Sequence, residues 1–293
     1  MIDTRPLVSV VIPCFNHAAF VAETIESVIN QDYARIELVV IDDGSSDNSV
    51  AVIQPWVDAC EKRFERFAFF ARENRGVAVT LNEGLAWCRG AFVCPMASDD
   101  VMLSNKVSRQ LAEFAACDGS VAGVYGGEIV IDAEGQVIRE RDYPRCVYRF
   151  EDVFLRYAFL SAPSAMFRLE ALRAIGYRPG LVVEDWFMSL RLLADGKVFL
   201  NTGELLVKKR LHQQNVSWQY EAIWQCSVNI LEDYRDHPLY SKALARVMVA
   251  QMFYYLKTDK FEALRWFWRA WRTDVGLPFD RRLLKTAYLR FFK

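Results

Sequence analysis

The feature that most constrains the fold is a set of short, predominantly apolar segments spaced by helical patterns through the first third of the chain. Leu7–Ile12 (LVSVVI) and Ile36–Ile41 (IELVVI) alternate with helix-like stretches over Ala18–Asn30 and Asp47–Phe64, the second interrupted by Pro55. Phe67–Ala71 precedes a helical pattern over Val77–Cys88, and Ala91–Met96 precedes another over Ser104–Cys117. A strand with one wet face alternates apolar and polar residues, whereas strands apolar on both sides are covered on both faces. The expectation is an α/β fold with a Rossmann-like, mostly parallel sheet flanked by helices. Right-handed crossovers then align the carboxyl ends of the strands along one edge, where ligands of such sheets bind.

Beyond Cys117 the pattern changes. Val121–Tyr125 reads as a strand, and Glu128–Asp132 and Gln136–Glu140 flank Ala133-Glu134-Gly135 as a hairpin. Ser164–Phe167 reads as a strand, Leu169–Ile175 and Glu184–Asp195 as helices, and Leu205–Leu211 closes the sheet region. Everything after Trp218 is helical in pattern, so the expected division is residues 1–217 as the α/β domain and 218–293 as a helical extension. A hydrophobic content of 53% over 293 residues supplies a large core for such a pair.

Charge and cysteine usage narrow the function classes. The net charge of −1 gives no global basic surface for nucleic acid, but Lys242–Lys293 holds twelve Lys/Arg against four Asp/Glu. The seven cysteines form no CxxC pair, which suits buried thiols in a reducing compartment. No leader and no apolar stretch of spanning length is evident, so a cytoplasmic protein is expected, and the sequon at Asn215 carries no weight.

Three acidic features fall at or beyond predicted strand ends. Asp42-Asp43-Gly44 ends the second strand, where a carboxylate accepts hydrogen bonds from a base or ribose, or simply caps a helix. Ser98-Asp99-Asp100 follows the fourth strand. Adjacent carboxylates there repel unless a cation joins them, and a divalent ion shared with substrate phosphates would do so. Glu184-Asp185 opens a helix, and His212 follows the last strand. No GxGxxG follows the first strand, which excludes a dehydrogenase fingerprint, and PCFNHAAF is not the Gly-rich basic loop of a nucleotidyltransferase.

Taken in order, VSVVIPCFN, VVIDDGSSDNS, ENRGVAVTLNEG, SDD, MFRLEALRAIGYRPG, VEDWFMSLRLLADG and RLHQQNVS resemble the family 2 glycosyltransferases, over roughly residues 7–217. The resemblance implies a GT-A fold and an inverting, metal-assisted transfer from a nucleotide sugar. It implies that Pro13 and Phe15 pack around the base, with Phe in place of the family's Tyr. Asp42 or Asp43 would bond the base edge, Asp43 being preferred, and Arg75 would lie near the diphosphate. Ser98 and Asp99 would face the ribose and donor sugar, Asp100 and His212 would hold Mn or Mg, and Asp185 would be the general base. UDP is the preferred nucleotide, with dTDP as the alternative. A saccharide or polyprenyl-diphosphate-linked saccharide is the expected acceptor, in polysaccharide or O-antigen synthesis. The competing reading is a catalytically degenerate nucleotide-binding module of the same fold.

In the tail, Phe261, Leu264, Phe267 and Trp271 recur at helical spacing among Lys257, Lys260, Arg265, Arg269 and Arg272. Leu284, Ala287, Tyr288 and Phe291 repeat the pattern beside Arg281, Arg282, Lys285 and Arg290. Two readings stand: helices packed on the catalytic domain, or a peripheral surface for anionic lipid on the inner face of the plasma membrane.

Overall fold

The structure is a computed structural model that describes residues 5–155, 160–213, 215, 219–256 and 258–277. Its centre is a ten-stranded sheet: β1 (Val8–Cys14), β2 (Ile36–Asp43), β3 (Arg66–Arg72), β4 (Phe92–Pro95), β5 (Val101–Met102), β6 (Val121–Ile131), β7 (Val137–Arg141), β8 (Cys146–Tyr148), β9 (Met166–Arg168) and β10 (Val198–Arg210). The order is β3-β2-β1-β4-β9-β6-β10-β5, with β7 beside β6 and β8 beside β10. β3, β2, β1 and β4 are parallel. β9 runs antiparallel between β4 and β6, and β6 and β10 are again parallel.

The apolar strands form where the sequence places them because they are covered on both faces. Every residue of β2 and all but Pro13 of β1 are buried. Helix Val21–Ile29 lays Val21, Ile25 and Val28 against the core built on Val10, Ile12, Leu38 and Val40. Those three residues lie on one helical stripe, so the amphipathic spacing is satisfied by the sheet. At Pro55 the chain makes a short 3₁₀ turn, Gln54–Trp56, between helices Ser49–Ile53 and Val57–Arg63.

The strand order reverses between β1 and β4: the chain moves outward from β1 to β2 and β3, then returns to the other side of β1. In open α/β sheets this reversal opens a crevice outside the carboxyl ends of the strands. The loops after β1, β2 and β4 converge there, and they carry three of the predicted motifs.

The chain divides into two compact units, Met1–Phe150 with Phe159–Gln213, and Glu151–Ala158 with Gln214–Lys293. In the second, helices Tyr220–Glu232, Tyr240–Tyr255 and Lys260–Thr273 pack around Val249, Met252, Phe253, Ala263, Trp266 and Ala270. Glu151–Ala158 joins it through Leu155, whose carbonyl accepts a 2.7 Å bond from Arg246, and through the Phe154 ring against Tyr234 and His237. The second basic-aromatic stretch of the tail and Ser217 lie outside the described residues.

Candidate active site

The loops after β1 and β2 are stitched by short polar side chains. Asn16, in the left-handed region at φ 55°, accepts from the Ser46 amide at 2.7 Å, and its own amide donates to Ser45 Oγ at 2.8 Å. Asp42 accepts from the Ser45 amide and hydroxyl at 2.9 and 2.6 Å. Asp43 accepts from the Arg75 and Gly76 amides at 2.8 and 2.9 Å and from the Arg72 guanidinium. Gly44 (φ 73°) is required between them, because a Cβ there would stand 2.5 Å from the Asn74 amide nitrogen. Phe15, 47% exposed, projects beside this turn, with Pro13 half-buried. The Arg75 side chain turns outward, pairing with Glu83 at 3.2 Å.

The loop after β4 holds the second acidic pair, and its two members have different surroundings. β5 runs antiparallel to β10, with Val101 opposite Lys208, and continuing that register brings Asp99 and Asp100 alongside Arg210. Asp100 points inward. Its Oδ1 accepts from the Arg210 amide at 2.8 Å and its carbonyl accepts from Thr24 Oγ1. Burial, then the neighbouring Asp99 charge, pushes its carboxyl well above the usual range. Asp99 instead faces His212, with 2.9 Å between Oδ2 and Nε2. Burial opposes ionisation of Asp99, but the His212 hydrogen bond and the His17 and His212 charges hold its carboxyl below the usual range.

His17, in the turn after β1, completes this group. One ligand atom each from His17, Asp99 and His212 lie within 4.8 Å of one another. His17 Nδ1 is 2.7 Å from Ser98 Oγ, and the two imidazoles meet edge to face at 5.4 Å. Burial lowers the His17 pKa and so favours the neutral ring that ligates metals. A carboxylate with two imidazoles suits a divalent transition-metal ion. The predicted pair Asp100 and His212 is thus not what the geometry gathers: His212 meets Asp99, while Asp100 is occupied by backbone.

Arg210, 2% exposed, fixes this arrangement. It donates to the carbonyls of Asp99, Asp132 and Ala133 at 3.0, 3.2 and 3.1 Å, pairs with Glu23, and lies 5.0 Å from the Phe20 ring centroid. Sequence reasoning singles out neither His17 nor Arg210. The signal for His17 is its place just past β1, beside the strand-order reversal. For Arg210 it is the register of β10.

Helix Glu184–Ala194 begins with the third acidic pair. Asp185 Oδ1 accepts from the Trp186 amide at 2.8 Å. Burial raises the Asp185 pKa, while that hydrogen bond and the Lys209 charge act to lower it. Glu184 is pushed up to about 8 by burial and the adjacent Asp185 charge.

The strand-order reversal carries acidic pairs after β2 and β4, and comparison with known proteins identifies the fold as GT-A and the chain as a glycosyltransferase. The Glycosyl transferase family 2 model matches residues 9–176. The chain is 25% identical over 235 residues to the Escherichia coli UDP-Glc:alpha-D-GlcNAc-diphosphoundecaprenol beta-1,3-glucosyltransferase WfgD, covering 80% of this chain and 88% of WfgD. It is 29% identical over 214 residues to the Escherichia coli chondroitin synthase, covering 72% of this chain but 30% of that protein. Among solved structures, S. aureus TarS bound to UDP-GlcNAc superposes with a TM-score of 0.66 at 16% identity, covering 90% of this chain and 79% of TarS. The Pyrobaculum calidifontis mannosyltransferase PcManGT bound to GDP-Man and Mn2+ gives 0.64 at 20% identity, covering 99% and 82%. This chain belongs to glycosyl transferase family 2.

Proposed function

We propose that the chain transfers a sugar from a nucleoside diphosphate donor, UDP first, to a hydroxyl of a lipid-linked saccharide, with inversion at the anomeric carbon. The observation that carries this reading is the convergence of Asp99, His212 and His17 at the β1–β4 reversal. The donors named for TarS and WfgD favour UDP, and the diphosphoundecaprenol acceptor named for WfgD favours a polyprenyl-linked saccharide. Phe15 and Pro13 offer the base an apolar wall, and the Asp42–Asp43 turn lies at its edge. Asp99 and His212, rather than Asp100, would hold a divalent cation, and Ser98 orients the neighbouring His17 ring. A cation bound there supplies positive charge where the leaving diphosphate gains negative charge. Asp185 accepts the proton of the acceptor hydroxyl as its oxygen attacks. Lys209 helps keep that carboxyl ionised.

The reading is tested by thermal melts and transfer assays with UDP-, dTDP- and GDP-sugars, with and without manganese. A donor that binds raises the melting temperature by mass action, and transfer then stops in excess chelator. Donor binding without transfer to any prenyl-linked saccharide would instead favour the degenerate binding module.

Cytoplasmic placement is supported by seven free cysteines. Among the described residues no helix is long and apolar enough to cross a membrane. Helix Lys260–Thr273 nevertheless exposes Phe261, Leu264 and Trp268 along one stripe, with Arg265, Arg269 and Arg272 on the same helix. We assign this stripe to an anionic bilayer surface, where aromatic residues enter the headgroup layer and each nearby cation adds about 1 kcal/mol. Co-sedimentation with anionic vesicles at low salt should fall in the Phe261→Ser, Leu264→Ser, Trp268→Ser variant. Equal sedimentation of both proteins would reject the assignment.

A further inference from the structure

We propose that His17 is a third protein ligand, giving this chain a two-imidazole, one-carboxylate site that selects a transition-metal ion over Mg2+ and takes it up before the nucleotide. The inference deepens the reading above and rests on it. Its basis is a convergence that local sequence does not explain. The chain has three histidines, and two of them, from opposite ends of the catalytic unit, meet over one carboxylate.

The His17 turn is fixed before any ligand arrives. The His17 amide donates to Ser49 Oγ at 3.0 Å, and its carbonyl accepts from the Phe20 and Val21 amides at 2.9 Å each. The imidazole therefore projects from a braced backbone rather than a loose loop. On the other side, His212 is held by Phe20, whose ring centroid lies 4.8 Å from the imidazole, and by Asp99. His212 Nε2 and Asp99 Oδ2, 2.9 Å apart, are near enough to share one ion.

Ser98 supplies the outer partner that ligating histidines ordinarily have. With Nδ1–H donated to Ser98 Oγ, the lone pair sits on Nε2, the nitrogen then available to an ion. Ser98 precedes Asp99, so the serine that orients one ligand is tethered to another. A histidine that merely filled space would need only the Ser98 bond and would leave metal affinity untouched.

Donor chemistry sets the selectivity. Mg2+ prefers oxygen and is usually held by one or two carboxylates together with substrate phosphates. Imidazole nitrogen favours the later divalent ions, in the order Mn2+ below Co2+. Three protein ligands also retain an ion without help from the nucleotide, so metal binding should precede donor binding.

The test uses the full chain, stripped with chelator and without nucleotide, titrated with Mn2+ followed by electron paramagnetic resonance and with Co2+ followed by its visible d–d band. The wild type should bind one ion, with Mg2+ competing only in large excess. His17→Gln and His17→Ala should each weaken Mn2+ by tenfold or more and shift the Co2+ band, while His237→Ala, in the other compact unit, should match wild type. Thermal melts of the stripped proteins identify any variant that fails to fold, and the remaining His17 variant then decides. Wild-type titrations in a folded His17 variant would overturn the proposal, as would a wild type that binds Mn2+ only when UDP is added. Failure of the transferase reading looks different: metal binds as expected, but no nucleotide sugar binds or reacts.

Discussion

The edge after β2 and the edge formed by β4, β10 and helix Glu184–Ala194 both present adjacent carboxylates, yet the protein treats them in opposite ways. At the first, Asp42 and Asp43 are saturated by donors from their own loops: the Ser45 amide and hydroxyl for one, two amides and Arg72 for the other. At the second, Asp100 has one backbone donor, Asp99 has imidazoles, and Asp185 and Glu184 are displaced upward by burial. An acidic pair whose hydrogen bonds are complete holds a loop. At the second edge, burial pushes Asp100, Glu184 and Asp185 toward their protonated forms, while Asp99 is held ionised by imidazole. The same residue types thus divide into scaffold and chemistry according to what surrounds them.

The largest effect should come from the most chemically exposed member of the second edge. Asp185→Asn should lower transfer by hundreds-fold or more, the scale of a lost general base, and change donor affinity by no more than a few-fold. In the wild type, the raised Asp185 pKa places the acidic limb of the rate profile above the ordinary carboxylate range, with activity rising as the base ionises. A variant retaining transfer within a few-fold of wild type would remove Asp185 from the mechanism.

Next come paired substitutions that set the two edges against each other. Asp43→Asn strips the Arg72 guanidinium of a buried partner and weakens two amide bonds, so it should cost on the order of 1–3 kcal/mol. At roughly 2–4 °C per kcal/mol for a domain of 150–250 residues, calorimetry would resolve that loss. Asp99→Asn gives up the His212 attraction that holds its carboxyl low but relieves the charge that raises Asp100, so the metal-free protein should lose less stability than with Asp43→Asn, while chelator-sensitive transfer disappears. Equal destabilisation by both substitutions would erase the distinction between the edges.

How much of this is legible in the sequence depends on the range of the signal. The buried strands β1 and β2 are readable because nearly every residue is apolar or ends a run, and Pro55 does mark the helix break. The sequence pattern starts β10 at Leu205, but the strand begins at Val198. Its middle, Asn201-Thr202-Gly203-Glu204, looks like a turn and is instead a register shift against β6, with Gly203 at φ 79°. β6 likewise reads as two pieces, because Gly126-Gly127 punctuates a continuous strand. Two-residue β5 has no local signature, and its pairing with β10 is what brings His212 to Asp99. Which of Asp99 and Asp100 faces the crevice is a matter of turn geometry between identical residues. Composition carries no information about that choice.

The smallest expected effect concerns Glu184 and sharpens the comparison through stability alone. Its carboxyl moves from the ordinary 4.5 to about 8 in the folded chain, first by burial and then by the Asp185 charge. Between those values the folded chain keeps a proton that the unfolded chain has released. The stabilisation is therefore fully present below about pH 4.5 and is lost as pH rises through about 8. A single proton sets a ceiling of about 1.4 kcal/mol per pH unit, and partial exposure keeps the slope below it. Glu184→Gln should flatten the pH dependence of metal-free unfolding between about pH 5 and 8, and Asp185→Asn should flatten it too, by removing a second raised carboxyl and the charge that helps raise Glu184. Urea unfolding at several pH values measures the three slopes. If Glu184→Gln keeps the wild-type slope, the helix-start pair is as well compensated as the pair after β2, and the contrast between the two edges narrows to Asp99 and Asp100.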